Sequence, residues 1–292
     1  MQGLNNFNKN LPNIIVFGGT GFVGSNLIKK MINKHNLNTK FNIIIPSSKS
    51  SINQIANIPN VHYLPNINVF ESNSLNDLMN VKNTKFIIHS IGTFNNDMNY
   101  KNLVKNVNIF YSVPILIKTF LKKILNDKNQ NDDINFIKYN YSSFQKLLES
   151  IKERKTNKPS ILYLSANRSC ITDKDYIKTK RMAEKLLEMK TFSKKLSNSI
   201  IYRPGVMFTD LYKNKMDLFL KNMIWSSNGV SIRDVMSLLI SNNLVINRDE
   251  YFTNVDSLTD RMIEDIIKES EKKNETYEIE IVDKTKFLNN QI

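Results

Sequence analysis

The chain has 292 residues, an ordinary apolar share of 41% and a formal charge of +14. That length suits one large α/β domain, alone or with a small extension, and no apolar run is long enough to span a bilayer. One cysteine, Cys170, excludes an internal disulfide framework, and three histidines without CxxC or HExxH spacing argue against a structural zinc site.

Met1–Leu11 reads as an N-terminal extension: it has no acid, but no arginine either, so it makes at most a weak transit segment, and no secretory signal is visible. Asn13–Phe17 (NIIVF), between Pro12 and Gly18, is a short apolar run of the kind that forms a buried parallel strand. Gly24–Lys34 follows with Val23, Leu27 and Met31 at helical spacing. Phe41–Ile45, Val61–Leu64 and Lys85–Ile91 are the next predicted strands, the first ended by Pro46 and the last by Gly92. The stretch 112–134 is irregular, and Asn126–Asp133 reads as an exposed loop. Tyr141–Arg154 is an amphipathic helix leading into Ser160–Leu164, and Ser199–Tyr202 is the next strand, ended by Arg203-Pro204-Gly205. Beyond Gly205 the pattern weakens until a helix over Val255–Ser270 and an alternating strand over Tyr277–Val282. Strands alternating with helices predict a doubly wound parallel sheet with helices on both faces, the Rossmann arrangement. The expected division is an extension over 1–11, a dinucleotide-binding domain over 12–210 and a small substrate-side subdomain over 211–292.

The strongest motif is GGTGFVG, with Gly18, Gly21 and Gly24 in GxxGxxG spacing between a strand and a helix. Glycine is needed where the turn takes positive φ and where the backbone must approach a pyrophosphate closely. The helix N-terminus adds favourable partial charge for phosphate. The candidate cradle is the backbone of Gly18, Thr20, Gly21, Phe22, Val23 and Gly24; the competing explanation is a glycine turn that binds nothing. NAD-binding chains place a carboxylate at the end of the second strand for the ribose hydroxyls. Here the sequence is Pro46-Ser47-Ser48-Lys49, where the hydroxyls of Ser47 and the ammonium of Lys49 suit a 2′-phosphate. NADP is therefore favoured over NAD, although Lys49 also reads as a solvated loop lysine.

The second constellation is Tyr176-Ile-Lys-Thr-Lys180 at the start of the helix after Ser160–Leu164. Four-residue spacing puts Tyr176 and Lys180 on one face. A neighbouring ammonium favours the phenolate, which suits a general acid–base role towards a carbonyl or alcohol. A hydroxyl is normally needed beside this pair, and Ser165 is the nearest one to the strand end, with Asn167 as the competing occupant. The triad is thus altered. His89 reads as a packed strand residue; Gly92 lines the nicotinamide side, Pro204 roofs it, and Met207 and Phe208 follow as apolar wall or core.

GGTGFVG, FIIHSIG at 86–92, LSANRS at 164–169, YIKTKRMAEKLL at 176–187 and YRPGVMF at 202–208 together resemble the atypical short-chain dehydrogenase/reductase (SDR) proteins of mitochondria. The likeness is greatest to the SDR-like proteins of fungal coenzyme Q biosynthesis, through HSIG followed by Asn99-Tyr100-Lys101 and through YIKTKRMAE. It extends also to the SDR-like accessory subunit of respiratory complex I. It covers roughly residues 12–285, with 102–139 poorly matched. What it implies is a protein on the matrix side of the mitochondrial inner membrane, with peripheral membrane association. Such a protein would bind NADP or NAD and work in a membrane-associated complex handling a quinone-like lipid. Asn68 stands about where the family has an adenine-contacting Asp.

Two readings stay open: an NADP-dependent oxidoreductase, and a non-catalytic cofactor-binding subunit. A third, RNA binding, rests on charge alone. The charge is uneven, since residues 1–70 contain no Asp or Glu and the first acid is Glu71. Abundant Lys and Asn along the whole length also fit compositional drift. No RNP-type aromatic motif or KH clamp accompanies the charge, so no specific nucleic acid is expected.

Overall fold

The computed structural model describes residues 7–50, 58–93, 135–151, 157–167, 174–208, 252–272 and 277–283. Seven strands form one sheet: β1 (Asn13–Phe17), β2 (Asn42–Pro46), β3 (Val61–Leu64), β4 (Thr84–His89), β5 (Ser160–Leu164), β6 (Ser199–Arg203) and β9 (Ile279–Asp283). Their order is β3-β2-β1-β4-β5-β6-β9, and every neighbouring pair is parallel. This is the predicted doubly wound Rossmann sheet. Two further strands, β7 (Val206–Phe208) and β8 (Phe252–Asn254), pair in parallel as a separate ribbon.

Period-two alternation sorts the core into two layers. Ile14 and Val16 of β1, Ile43 and Ile45 of β2, and Ile88 of β4 face α1 (Phe22–Asn33) and α5 (Val255–Glu271). Ile15, Phe17, Ile44 and Ile87 face the other way. There they meet α2 (Ser72–Met79), α3 (Ser143–Ser150) and α4 (Lys174–Phe192). Strands buried on both faces read as continuous apolar runs, which is why NIIVF is so plain in the sequence. Where the strands begin, Asn42 Nδ2 donates to Asn13 Oδ1 at 2.8 Å, and Asn13 Nδ2 donates to the Lys82 carbonyl at 2.7 Å. These amides satisfy buried polar groups that would otherwise be costly.

Several boundaries differ from the sequence expectations. β4 ends at His89 rather than at Ile91, because Ser90 leaves the ladder and donates from both its N–H and its Oγ to the Phe17 carbonyl. The helix expected over Tyr141–Arg154 begins as a π-helical turn, Ile137–Ser142, and its α-helical part stops at Ser150, where Ile151 is extended. α2 was not expected. Its sequence, SNSLNDLM, is built from weak helix formers and is held by burial of Leu75, Leu78 and Met79. Of the stretch 211–292, β9 pairs with β6 at the edge of the main sheet, and α5 packs on one face of it, capped by the Asn254 side chain accepting from Asp256 N–H. The loop expected over Asn126–Asp133 lies outside the described residues. No helix among the described residues is long and apolar enough to cross a membrane.

Ile15 sits at the middle of the sheet with no exposed surface. Ile15→Ala is expected to lower unfolding free energy by about 2–5 kcal/mol, read from the denaturant midpoint. Lys29→Ala, at an exposed position of α1, is expected to stay within about 0.5 kcal/mol.

Candidate functional site

Gly18, Ser47, Gly92, Ser165 and Pro204 all follow the C-terminal ends of strands, so the parallel sheet gathers the candidate residues along one edge. β1 lies between β2 and β4, where the order of strands reverses; crevices in open α/β sheets form at such a point.

The glycine loop is closed tightly. Gly18 has φ +80°, a conformation that L side chains rarely adopt. A Cβ there would lie 2.7 Å from Ser90 Oγ, so the loop is pressed against the segment after β4. A Cβ on Gly24 would lie 2.3 Å from the Gly18 carbonyl oxygen. Gly21 caps α1 without a side-chain hydrogen bond, and no acid stands in the first turn. The first-turn amides of Phe22, Val23 and Gly24 have no intrahelical acceptor, as at any helix start. Thr20 and Phe22 are exposed beside them, and Val23 is packed inward. Gly18 and Gly24, which reject a Cβ, together with the uncapped helix start make a cradle that fits a dinucleotide pyrophosphate.

At the end of β2, Ser47 is buried and its Oγ accepts from the Lys49 N–H at 3.2 Å. Lys49 is exposed, and its carbonyl accepts from Tyr63 Oη. No carboxylate stands at this strand end. The first acid, Glu71, accepts from Asn68 Nδ2, while Asn68 Oδ1 accepts from the Phe70 N–H.

Lys180 is buried at 3% exposure, and its ammonium donates to the Leu164 carbonyl at 2.9 Å. It lies 5.2 Å from the centroid of the Tyr163 ring. Gly92 touches it, since a Cβ there would lie 3.0 Å from Nζ and 2.9 Å from Asn140 Oδ1. Asn140 in turn clamps the backbone of Thr93, accepting from its N–H at 2.9 Å and donating to its carbonyl at 3.1 Å. Burial pulls the Lys180 pKa down to about 7, against the opposing charge of Glu184. His89 is fully buried, with its pKa held well below 6.5 by burial and by Lys180. Its Nε2 meets Ser143 Oγ at 3.3 Å, while Nδ1 has no hydrogen-bond partner among the described residues. His89 is thus the packed strand residue the sequence suggested.

Tyr176 packs on Phe136, with ring centroids 5.8 Å apart, and on Ala166. It lies one helical turn before Lys180 on α4. Ser165 is placed differently. Its Oγ donates to Glu184 Oε1 at 2.5 Å and it is 2% exposed. Glu184 is itself held between Arg181 and Arg203, the latter donating from Nη2 to Oε2 at 2.7 Å. The buried carboxylate, two guanidiniums and the serine form one connected unit at the ends of β5 and β6. The Asn167 N–H donates to the Pro204 carbonyl at 2.6 Å, joining the same two strand ends. Met207 is half-buried against the core. Asn99–Lys101 and Arg168–Cys170 lie outside the described residues.

Sequence reasoning missed Asn140, Glu184 and Arg181. Glu184 was findable, since it falls four residues after Lys180 on the same face; Asn140 carries no local signal.

The Lys180 shift has a pH consequence. A lysine whose pKa falls on folding binds more protons when unfolded, between about 7 and 10.5, so stability rises with pH across that window. Denaturant midpoints for the full chain are expected to climb from pH 7 to pH 9, and Lys180→Met is expected to flatten that slope. An equal slope in the variant would show that Lys180 is not its source.

Residues 14–119 match the NAD dependent epimerase/dehydratase family. A curated relative, MIOREX complex component 2 of Saccharomyces cerevisiae, is 23% identical over 221 residues, which is 68% of this chain and 74% of the relative. Among solved structures, UDP-glucuronic acid 4-epimerase from Bacillus cereus, in complex with NAD, superposes with a TM-score of 0.55 at 12% identity, over 93% of this chain and 76% of the other. A short-chain dehydrogenase family protein from Francisella tularensis gives a TM-score of 0.52 at 12% identity, over 94% and 98% of the two chains. With the seven-stranded parallel sheet and the glycine turn after β1, these likenesses identify the fold as the Rossmann-type α/β fold of SDR proteins and NAD-dependent epimerases.

Proposed function

We propose that this chain is an SDR-type NAD(P)-binding protein of mitochondrial coenzyme Q biosynthesis, and that it serves there as a cofactor-binding subunit of a membrane-associated complex. The amides of Gly18–Gly24 would hold the pyrophosphate, Ser47 and Lys49 the 2′-phosphate of NADP, and Gly92, Tyr176, Lys180 and Pro204 the nicotinamide half. A bound nicotinamide supplies a hydride donor or acceptor. The observation that carries the subunit reading is Ser165: its only proton is committed to Glu184, inside a buried ion-pair unit. A hydroxyl held in that way does not polarise a substrate carbonyl. A dinucleotide bound to such a fold stabilises it by mass action whether or not it reacts. The named role of the yeast relative as a complex component supports the same direction. The mitochondrial, matrix-side setting rests on the sequence resemblance.

The second reading is an NADP-dependent oxidoreductase acting on a quinone-like intermediate. Lys180 favours it. With a pKa of about 7 it is partly charged at neutral pH, beside Gly92 and one turn from Tyr176. It can hold the nicotinamide ribose and favour the Tyr176 phenolate, leaving Tyr176 to move a proton at its hydroxyl.

Purified full chain is expected to carry NADP(H), seen by absorbance after denaturation. Gly21→Asp places a carboxylate against the phosphates, and is expected to weaken binding by about a hundredfold or more. In cells, Gly21→Asp is expected to lower coenzyme Q while Tyr176→Phe leaves it near normal. Loss of coenzyme Q with Tyr176→Phe, at unchanged protein level, would favour the oxidoreductase. Normal coenzyme Q with Gly21→Asp would overturn both.

A further inference from the structure

We propose that the C-terminal end of α4 docks onto an anionic phospholipid bilayer. Among the described residues, Phe192 and Met189 are the most exposed large apolar side chains, at 72% and 59%. They lie three residues apart, on one side of the last helical turns. Lys185 stands exposed one turn before Met189 on the same side, and Lys190, Lys194 and Lys195 lie within three residues of Phe192 in the chain. Lys194, at φ +56°, turns the chain back towards β6 and leaves Phe192 at the corner.

A second cluster adjoins the first. The ring of Tyr277 has the Lys158 ammonium at 5.0 Å and the Lys194 ammonium at 5.5 Å from its centroid, and Lys158 also donates to Tyr277 Oη. One aromatic ring thus draws two ammoniums together, one of them two residues from Phe192 in the chain. Among the described residues, the acids next to these positions in the chain are Glu188, whose charge acts on Arg203, and the exposed Glu278.

Charge complementarity decides the occupant. An apolar tip ringed by lysines, with methylene stems that lie along apolar surface, suits the boundary between acyl chains and anionic headgroups. A nucleic acid would call for exposed aromatic platforms free to stack on bases, whereas the Tyr277 ring here is engaged by the Lys158 and Lys194 ammoniums. The site is also distant from the dinucleotide edge. α4 follows β5 and returns across the sheet, so its end lies where strands begin, whereas the glycine loop lies where they end. Docking here leaves the cleft facing water and does not rest on cofactor binding.

Flotation of the full chain with vesicles tests this. The wild type is expected to float with phosphatidylcholine–phosphatidylglycerol vesicles, to stay behind with phosphatidylcholine alone, and to be released by high salt. Met189→Ser with Phe192→Ser, and separately Lys194→Glu with Lys195→Glu, are each expected to reduce the floated fraction at least about fivefold. Thermal unfolding by circular dichroism should stay close to the wild type, since Met189, Phe192 and Lys194 are exposed and Lys195 is partly exposed. Gly21→Asp should float like the wild type, which separates this surface from the dinucleotide cleft. The proposal fails if either double variant floats like the wild type, if the wild type does not float, or if Gly21→Asp abolishes flotation. It also fails if Lys194→Glu with Lys195→Glu removes retention on RNA while leaving flotation intact.

Discussion

The carbonyl of Gly18 presses against Gly24 so closely that a Cβ there would stand 2.3 Å from that oxygen. This contact lets α1 start directly on the end of β1. It is repeated at Gly19, where a Cβ would lie 2.7 Å from both Ile28 Cδ1 and Ile45 Cγ2. Because the backbone comes so near, Leu27, Ile28 and Met31 reach the apolar face of β1 and β2. The same geometry aims the uncapped start of α1 over the edge of the sheet. Packing of the first helix and the shape of the phosphate cradle are therefore one constraint, met by leaving out side chains.

A second constraint is the burial of charge on α4. Lys180 and Glu184 are one turn apart and almost wholly enclosed. An unpaired buried charge is very unfavourable. Lys180 is compensated by the Leu164 carbonyl and the Tyr163 ring, and Glu184 by Arg181, Arg203 and Ser165. The two charges divide the helix face between them. Lys180 looks to Gly92; Glu184 ties together the ends of β5 and β6. Ser165 falls on the Glu184 side of that division, and its hydroxyl is absorbed in holding the strands.

A parallel sheet also has two chemically distinct edges. Every βα turn emerges on one edge and every αβ turn on the other. Here the glycine loop, Ser47, Gly92 and Pro204 gather on the first. Lys158, Lys194 and Lys195 precede β5 and β6 and so gather on the second. Part of the formal charge of +14, uneven along the sequence, is thereby given a direction in space. One topology separates a cleft suited to an anionic cofactor from a corner suited to an anionic surface.

The sequence by itself determined the strands whose burial is complete, since NIIVF and SILYL must be apolar on both faces and so announce themselves without help. It also determined the glycine turn, because the backbone demands there can be met only by glycine. It did not reveal α2, whose Ser and Asn residues are helical only because Leu75 and Leu78 are pulled onto the sheet. It did not reveal where Ser165 points. A hydroxyl beside a strand end can serve a substrate or a carboxylate, and the choice was made by Glu184, nineteen residues away in the chain and 2.5 Å away in space. Nor did it reveal Asn140, whose hold on Thr93 joins residues 47 apart. Local pattern carried the backbone. The partners of each polar side chain were fixed by which strand ends the sheet brings side by side.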